Sequence, residues 1–288
     1  MTTDLRSRAE ALGQTLPPLL AEAEMLAQTV MLGEHGRRRA GMGDEFWQYR
    51  PAHAGDPARL VDWRRSARSD AHFVREREWQ AAQSVTIWVD PSKSMTFSGA
   101  KGRETKGDRA RLLALALAVL LLRGGERVGL AGLAQPRAGR AQIVRLATRL
   151  AEADTSADYG APEVDGMVSH GRAVFASDFM GDLAGVEAGL ARASDRGVKG
   201  ALLQVLDPAE EEFPFDGRTI FESMGGGISH ETKKAGELRD RYLARLAERK
   251  DRLTTLARAV GWHFSTHHTG APAQSALLWL YSALQGGR

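Results

Sequence analysis

Cysteine is absent from the 288 residues, which excludes disulfides and every thiolate-bound metal or redox centre. Long apolar runs are also missing. The longest, Leu112 to Leu122, falls short of the roughly 20 residues that cross a bilayer and reads instead as a buried helix. The opening residues, Met1-Thr2-Thr3-Asp4-Leu5-Arg6, lack the basic-then-apolar order of a signal peptide. Charge of one sign is scarce: 39 Lys and Arg face 36 Asp and Glu, for a net +3. That excess permits an acidic or nucleic-acid partner without demanding one. Two catalytic signatures are wanting as well. There is no Gly-x-Ser-x-Gly elbow, and Gly102 to Asp108 carries an acid where a P-loop needs its phosphate-binding lysine. The expectation is a cytoplasmic chain without ATPase activity of its own.

What is present suffices for a folded core, with 43% hydrophobic and 26% charged residues. Residues 1–32 read as a helical segment with an apolar stripe of Leu12, Leu16, Leu19, Leu20 and Met25, interrupted at Pro17-Pro18. Residues 33–79 hold Trp47, Trp63, Trp79 and many arginines with little helical periodicity, which points to a small β-rich subdomain. Its arginines are Arg37-Arg38-Arg39, Arg50, Arg59, Arg64, Arg65, Arg68, Arg75 and Arg77.

From residue 80 strands and helices alternate. Strands are expected at Ser84–Val89, Val128–Leu133, Arg172–Ala176, Val198–Leu206 and Trp262–Thr266. Helices are expected at Arg109–Arg123 with Asp108 as N-cap, then near 141–153, 183–193, 233–260 and 273–284. Residues 207–229 read as loops and a hairpin turning at Gly225-Gly226-Gly227. Alternation of this kind predicts an α/β fold, a doubly wound and mostly parallel sheet, whose site lies at the carboxyl ends of its strands.

The first of those strands ends in Asp90-Pro91-Ser92-Lys93-Ser94. Carboxylate and hydroxyl oxygens are hard ligands suited to Mg²⁺ or Mn²⁺, and alternate residues of a tight loop can turn three of them to one point. Ser177-Asp178-Phe179 follows a later strand, and parallel pairing would bring Asp178 alongside. The same residue types are also ordinary turn and cap formers.

Asp90-Pro91-Ser92-Lys93-Ser94-Met95 resembles the metal-ion-dependent adhesion motif of von Willebrand factor A-type domains. From about Gly33 to Leu284 the chain resembles the bacterial family known as domain of unknown function 58. The matching segments are Gly55-Asp56-Pro57-Ala58-Arg59-Leu60-Val61-Asp62-Trp63, Ser66-Ala67-Arg68, Val74-Arg75-Glu76, Ser177-Asp178-Phe179, Leu206-Asp207-Pro208-Ala209-Glu210 and Pro214-Phe215-Asp216-Gly217. The resemblance implies a von Willebrand factor A-like (Rossmann-like) fold over 80–288 and a Mg²⁺ site of Asp90, Ser92, Ser94 and Asp178. It also implies work with a MoxR-type AAA+ ATPase in chaperoning or assembly of other proteins. The motif calls for one more threonine, which Thr155 would supply, or Ser156 in its place, although residues 153–163 match poorly. The turn between Tyr49 and Gly55 runs about three residues longer than the family's.

Rival readings attach to the same residues. A phosphoester hydrolase would use Asp90 as nucleophile, but Ser92 stands where an acid/base aspartate is needed. Ser98-Gly99-Ala100-Lys101 has the spacing of a penicillin-recognising site without its companion motifs. The N-terminal tryptophans and arginines would suit either nucleic-acid stacking or a small core. His267-His268, adjacent on a strand, face opposite sides and read as surface or capping residues.

Overall fold

Six strands hydrogen-bond side by side in the order β5-β4-β3-β6-β7-β10. In chain order they are β3 (Ser84–Val89), β4 (Arg127–Leu130), β5 (Ala134–Arg137), β6 (Arg172–Ser177), β7 (Lys199–Leu206) and β10 (His263–His268). The computed structural model describes residues 18–34, 46–53, 61–67, 71–77, 82–152, 157–222, 229–232 and 236–285. All pairings in this sheet are parallel except β4 with β5, which is antiparallel. The fold is therefore α/β with a mostly parallel, doubly wound sheet. Its order reverses between β3 and β6, so the topological switch point lies between those two strands.

The inner strands β3, β6 and β7 are buried on both faces, as central parallel strands are, while the edge strands β5 and β10 are partly exposed. Val85 and Ile87 of β3 join Val174 and Ala176 of β6 and Leu203 and Val205 of β7 in one core; Trp88, Phe175 and Leu202 join the other. The first core is covered by α3 (Lys106–Arg123), almost wholly buried because Leu, Ala and Val occupy every face. Helices α4 (Arg140–Glu152) and α8 (Ala273–Gln285) pack beside it. The second core lies under α5 (Leu183–Asp195) and α7 (Gly236–Ala259). On α7 the buried stripe is Leu246, Leu253 and Ala257, while Leu238 and Leu243 are half-buried.

Contacts divide the chain into 33–82 and the remainder, 1–32 together with 83–288. In the larger unit α1 (Pro18–Glu34) packs Leu20, Ala23, Ala27 and Val30 into the α3 core. Small alanines, not Met25, complete that stripe: Met25 is 69% exposed, because it lies off the face that Leu20, Ala23, Ala27 and Val30 turn to the core. Leu12 and Leu16 lie outside the described residues. In the smaller unit β1 (Phe46–Pro51) and β2 (Phe73–Arg77) pair antiparallel, with Val61 bridged to Val74. The short helix α2 (Trp63–Ser66) is capped by Asp62, whose carboxylate accepts from the Arg65 amide at 3.1 Å, and buried Ser66 accepts from the Phe73 amide at 2.9 Å. Trp63 is 59% exposed with its ring edge on His72, and Arg65 stacks over Phe73. The side chains of Trp47 and Trp79 and residues 37–39 lie outside the described set.

Several sequence expectations shift. Helix α3 begins at Lys106 rather than Arg109, because the Thr105 hydroxyl accepts from the Asp108 amide and takes the N-cap role expected of Asp108. The second strand stops at Leu130 and folds back as β5, since Gly132 at φ +68° allows the turn. A one-turn helix, α6 (Pro208–Glu212), follows β7 on an Asp207–Glu210 capping box. The hairpin of β8 (Thr219–Glu222) and β9 (Ser229–Thr232) is present; its glycine turn lies outside the described residues.

His267 is buried, not a surface residue. Its Nε2 lies 2.8 Å from Nη1 of Arg109, which also donates to the carbonyls of Thr269 and Ala271. A guanidinium can only donate, so Nε2 is the unprotonated nitrogen. Burial, then Arg109 and then His268, push the His267 pKa down to about 4. An unfolded imidazole protonates near 6.5, so the fold excludes a proton that the unfolded chain accepts. The stability gained this way is complete above pH 6.5 and lost as pH falls toward 4. Urea denaturation is expected to show stability falling by about 1.4 kcal/mol per pH unit through that window, with a shallower slope in His267→Gln.

Candidate functional site

At the switch point β3 ends and the chain turns through a 3₁₀ segment, Lys93–Thr96. The turn is set by Asp90, whose Oδ1 accepts from the Ser92 amide at 2.8 Å. Its other oxygen, Oδ2, accepts from the Ser177 hydroxyl at 2.6 Å, and the Asp90 amide donates to Ala176 at 2.9 Å. Neighbouring strand ends are thus tied through one carboxylate. Asp90, Ser92, Ser94, Ser177 and Asp178 are all buried, none more than 3% exposed. The hydroxyls of Ser92 and Ser94 stand 3.2 Å apart.

A second loop closes over these residues. The amides of Lys93 and Ser94 donate to the carbonyls of Ala157 and Asp158 at 3.0 Å each. Gly160 brings its backbone so near the Asp90 carboxylate that a Cβ there would collide with it. Thr155 and Ser156, just before this loop, lie outside the described residues.

Asp178 follows Ser177 and reaches a different partner. Its Oδ2 accepts from Lys106 Nζ at 2.7 Å, and its Oδ1 from the Met180 amide at 2.9 Å. Lys106 lies in the first turn of α3, 1% exposed, and its ammonium also meets Glu210 Oε1 at 2.7 Å. Phe97 packs over the ammonium at 5.5 Å. Burial alone would lower the Lys106 pKa, but the Asp178 and Glu210 carboxylates outweigh it and hold the value above the ordinary one. Lys106 is therefore charged. Tyr242 of α7 feels burial and the same two carboxylates, so its phenol is held neutral, well above the usual range.

The loop after β6 is held from the far side. Phe179 adopts φ +50°, rare for a bulky residue, with its amide on the Ser177 hydroxyl at 2.9 Å. Arg249 of α7 donates to the carbonyls of Phe179 at 2.5 Å and Gly181 at 2.6 Å. Gln204 of β7 donates to the Asp178 carbonyl at 2.9 Å.

Ser92 and Ser94 have the oxygen spacing that Mg²⁺ asks of neighbouring ligands, while both oxygens of Asp90 accept hydrogen bonds. Neighbouring ligands of an octahedral ion, each about 2.1 Å from it, stand about 3.0 Å apart, close to the Ser92–Ser94 separation. Both oxygens of Asp178 are engaged as well, and one of them is bound to an ammonium. Among the described residues no three His, Asp or Glu side chains gather as a metal cluster, so an ion here would depend on the hydroxyls. Of the residues expected at the site, the structure brings Asp90, Ser92 and Ser94 together and sets Asp178 on Lys106; Lys106 and Glu210 were not expected as site residues, although Lys106 lay in the failed P-loop spacing.

The arrangement defines a class: a doubly wound α/β protein with a carboxylate–hydroxyl loop at its switch point. The chain belongs to the family described as protein of unknown function DUF58, whose model matches residues 48–252. No curated protein matches it. Among solved structures it is similar to an aerotolerance-related membrane protein from Bacteroides fragilis, at 16% identity and a TM-score of 0.40, over 71% of this chain and 99% of that one. The conserved hypothetical protein BatB from Bacteroides thetaiotaomicron gives 14% identity and 0.39 over the same shares. No described helix here is long and apolar enough to cross a membrane.

Proposed function

We propose that this chain is a non-catalytic protein-interaction module that presents the carboxyl edge of its sheet to a partner. The pairing of the Ser92 and Ser94 hydroxyls in the turn that Asp90 sets at the switch point carries the reading, because those two oxygens have the spacing of neighbouring ligands. Asp90 would supply the charge that holds a divalent cation, Mg²⁺ or Mn²⁺, and the two serines neutral oxygen ligands. When bound, the ion offers an open position to an Asp or Glu of the partner. The Ala157–Gly160 loop and the Ser177 hydroxyl keep Asp90 fixed and sheltered, so the charge is presented in one geometry.

The family resemblance suggests a MoxR-type AAA+ ATPase as partner and chaperoning or assembly of other proteins as the task. A hydrolytic reading is weaker. A nucleophilic Asp90 would need a free oxygen, yet Oδ1 and Oδ2 are each hydrogen-bonded and the residue is 1% exposed.

Affinity capture on the tagged chain, in Mg²⁺ and again in chelator, tests the proposal. The expected result is an AAA+ ATPase retained with Mg²⁺ and released by chelator. Retention of the same proteins in both conditions would remove the metal bridge from the mechanism.

A further inference from the structure

We propose that the free edge of β10 and the outer face of α8 form a contact between two copies of this chain, paired about a twofold axis. The first observation is in the sequence. From Ala259 to Gly287 there is no Asp, Glu, Lys or Arg, in a chain where these residues make up 26%. That stretch supplies both β10 and α8. Strand β10 ends the sheet and pairs only with β7, in unbroken parallel register from His263 to His268. Among the described residues nothing hydrogen-bonds along its other side from His263 to His267. Folded proteins blunt such edges with proline, lysine or bulges. The opposite edge is blunted: β5 carries Pro136 and Arg137, and its pairing with β4 shifts register. β10 has no proline, no lysine and no shift.

Helix α8 buries Ala276, Leu277, Leu280 and Leu284, yet its outer side is uncharged too, with Leu278 44% exposed and Trp279 half-buried. A surface helix ordinarily turns charged residues outward. Between β10 and α8 lies a groove of about 170 Å³, lined by Leu203, Ser265, His267, Ser275, Ala276 and Trp279. Charge selects the occupant. In a twofold pairing each patch meets its own copy, so a charged patch repels itself. This patch does not, and it offers no attraction to an acidic or basic partner. The two β10 strands then run antiparallel and extend the sheet across the axis, with both α8 helices on one face. Leu278 of each copy fills the groove of the other, a knob and a hole on the same helix. The contact is about 20 Å long and, at one strand plus one helix, about 15 Å deep. That falls short of the roughly 800 Å² per partner of a stable dimer, so the pairing is weak and reversible.

Sedimentation velocity of the full chain alone, in chelator, from about 1 to about 200 µM tests this, independently of the partner proposed above. The expected result is a reversible shift from the 31.3 kDa monomer to a dimer. Leu278→Lys, at an exposed position, is expected to keep its thermal unfolding temperature and to weaken pairing at least about tenfold. Met25→Lys, equally exposed but on α1, is expected to leave pairing unchanged. Hydrogen exchange at residues 263–268 is expected to slow in the concentrated sample. A monomer at every concentration overturns the proposal, as does assembly beyond two copies. So does pairing that Leu278→Lys leaves intact, or that Met25→Lys weakens to the same degree. If the chain stays monomeric while Leu278→Lys loses a protein held in affinity capture, the face belongs to that protein and not to a second copy.

Discussion

Lys106→Met is expected to cost roughly 3–5 kcal/mol of stability in chelator, the largest loss of any single substitution at this edge. Methionine is unbranched and of similar length to the buried lysine stem, so packing changes little. What changes is that Asp178, 1% exposed, and Glu210, whose side chain is 15% exposed, lose their shared counter-ion. An unpaired carboxylate in such surroundings is among the costliest features a fold can carry. Glu210→Gln is the comparison: it leaves the Lys106–Asp178 pair intact and is expected to cost on the order of 1 kcal/mol. Urea denaturation at neutral pH measures both. Similar losses in the two variants would mean that the ion triad does not stabilise the edge as described.

Gly160→Ala is expected to abolish divalent-ion binding and ion-dependent partner capture, and to lower stability by roughly 1–3 kcal/mol. The backbone at Gly160 is not in the left-handed region, so the effect arises from contact alone: the new methyl group would occupy the space of the Asp90 carboxylate. Neither side can yield cheaply. Asp90 is held by Ser92 and Ser177, and the loop is held by the amides of Lys93 and Ser94. Gly189→Ala on α5 is the milder comparison, because its Cβ would stand 3.2 Å from the Pro162 side chain and 3.4 Å from the Pro162 carbonyl, with no contact to Asp90. Unchanged metal affinity in Gly160→Ala would show that the loop does not shape the Asp90 site.

The sheet was legible because parallel strands buried on two faces are continuous apolar runs, and Ser84–Val89 and Lys199–Leu206 have that form. The hairpin strand β5 was not, since Ala134-Gln135-Pro136-Arg137 has neither a run nor strong β-formers and pairs only with β4. At the site, Asp90, Ser92 and Ser94 could be found because they are close in sequence and follow a strand. Lys106 and Glu210 could not: the lysine meets Asp178 across 72 positions and Glu210 across 104. A lysine at the head of a helix ordinarily points to solvent, and only the apolar length of α3 behind it draws this one inward. His267 escaped for a related reason. Alternation along β10 correctly gave two faces, but not that one of them would be closed by a guanidinium from α3.

Arg249 gives α7 a mechanical meaning. The helix runs 24 residues, about 36 Å, and grips the Asp178 loop through two carbonyls near its middle. Force applied to it would reach that loop through a single guanidinium.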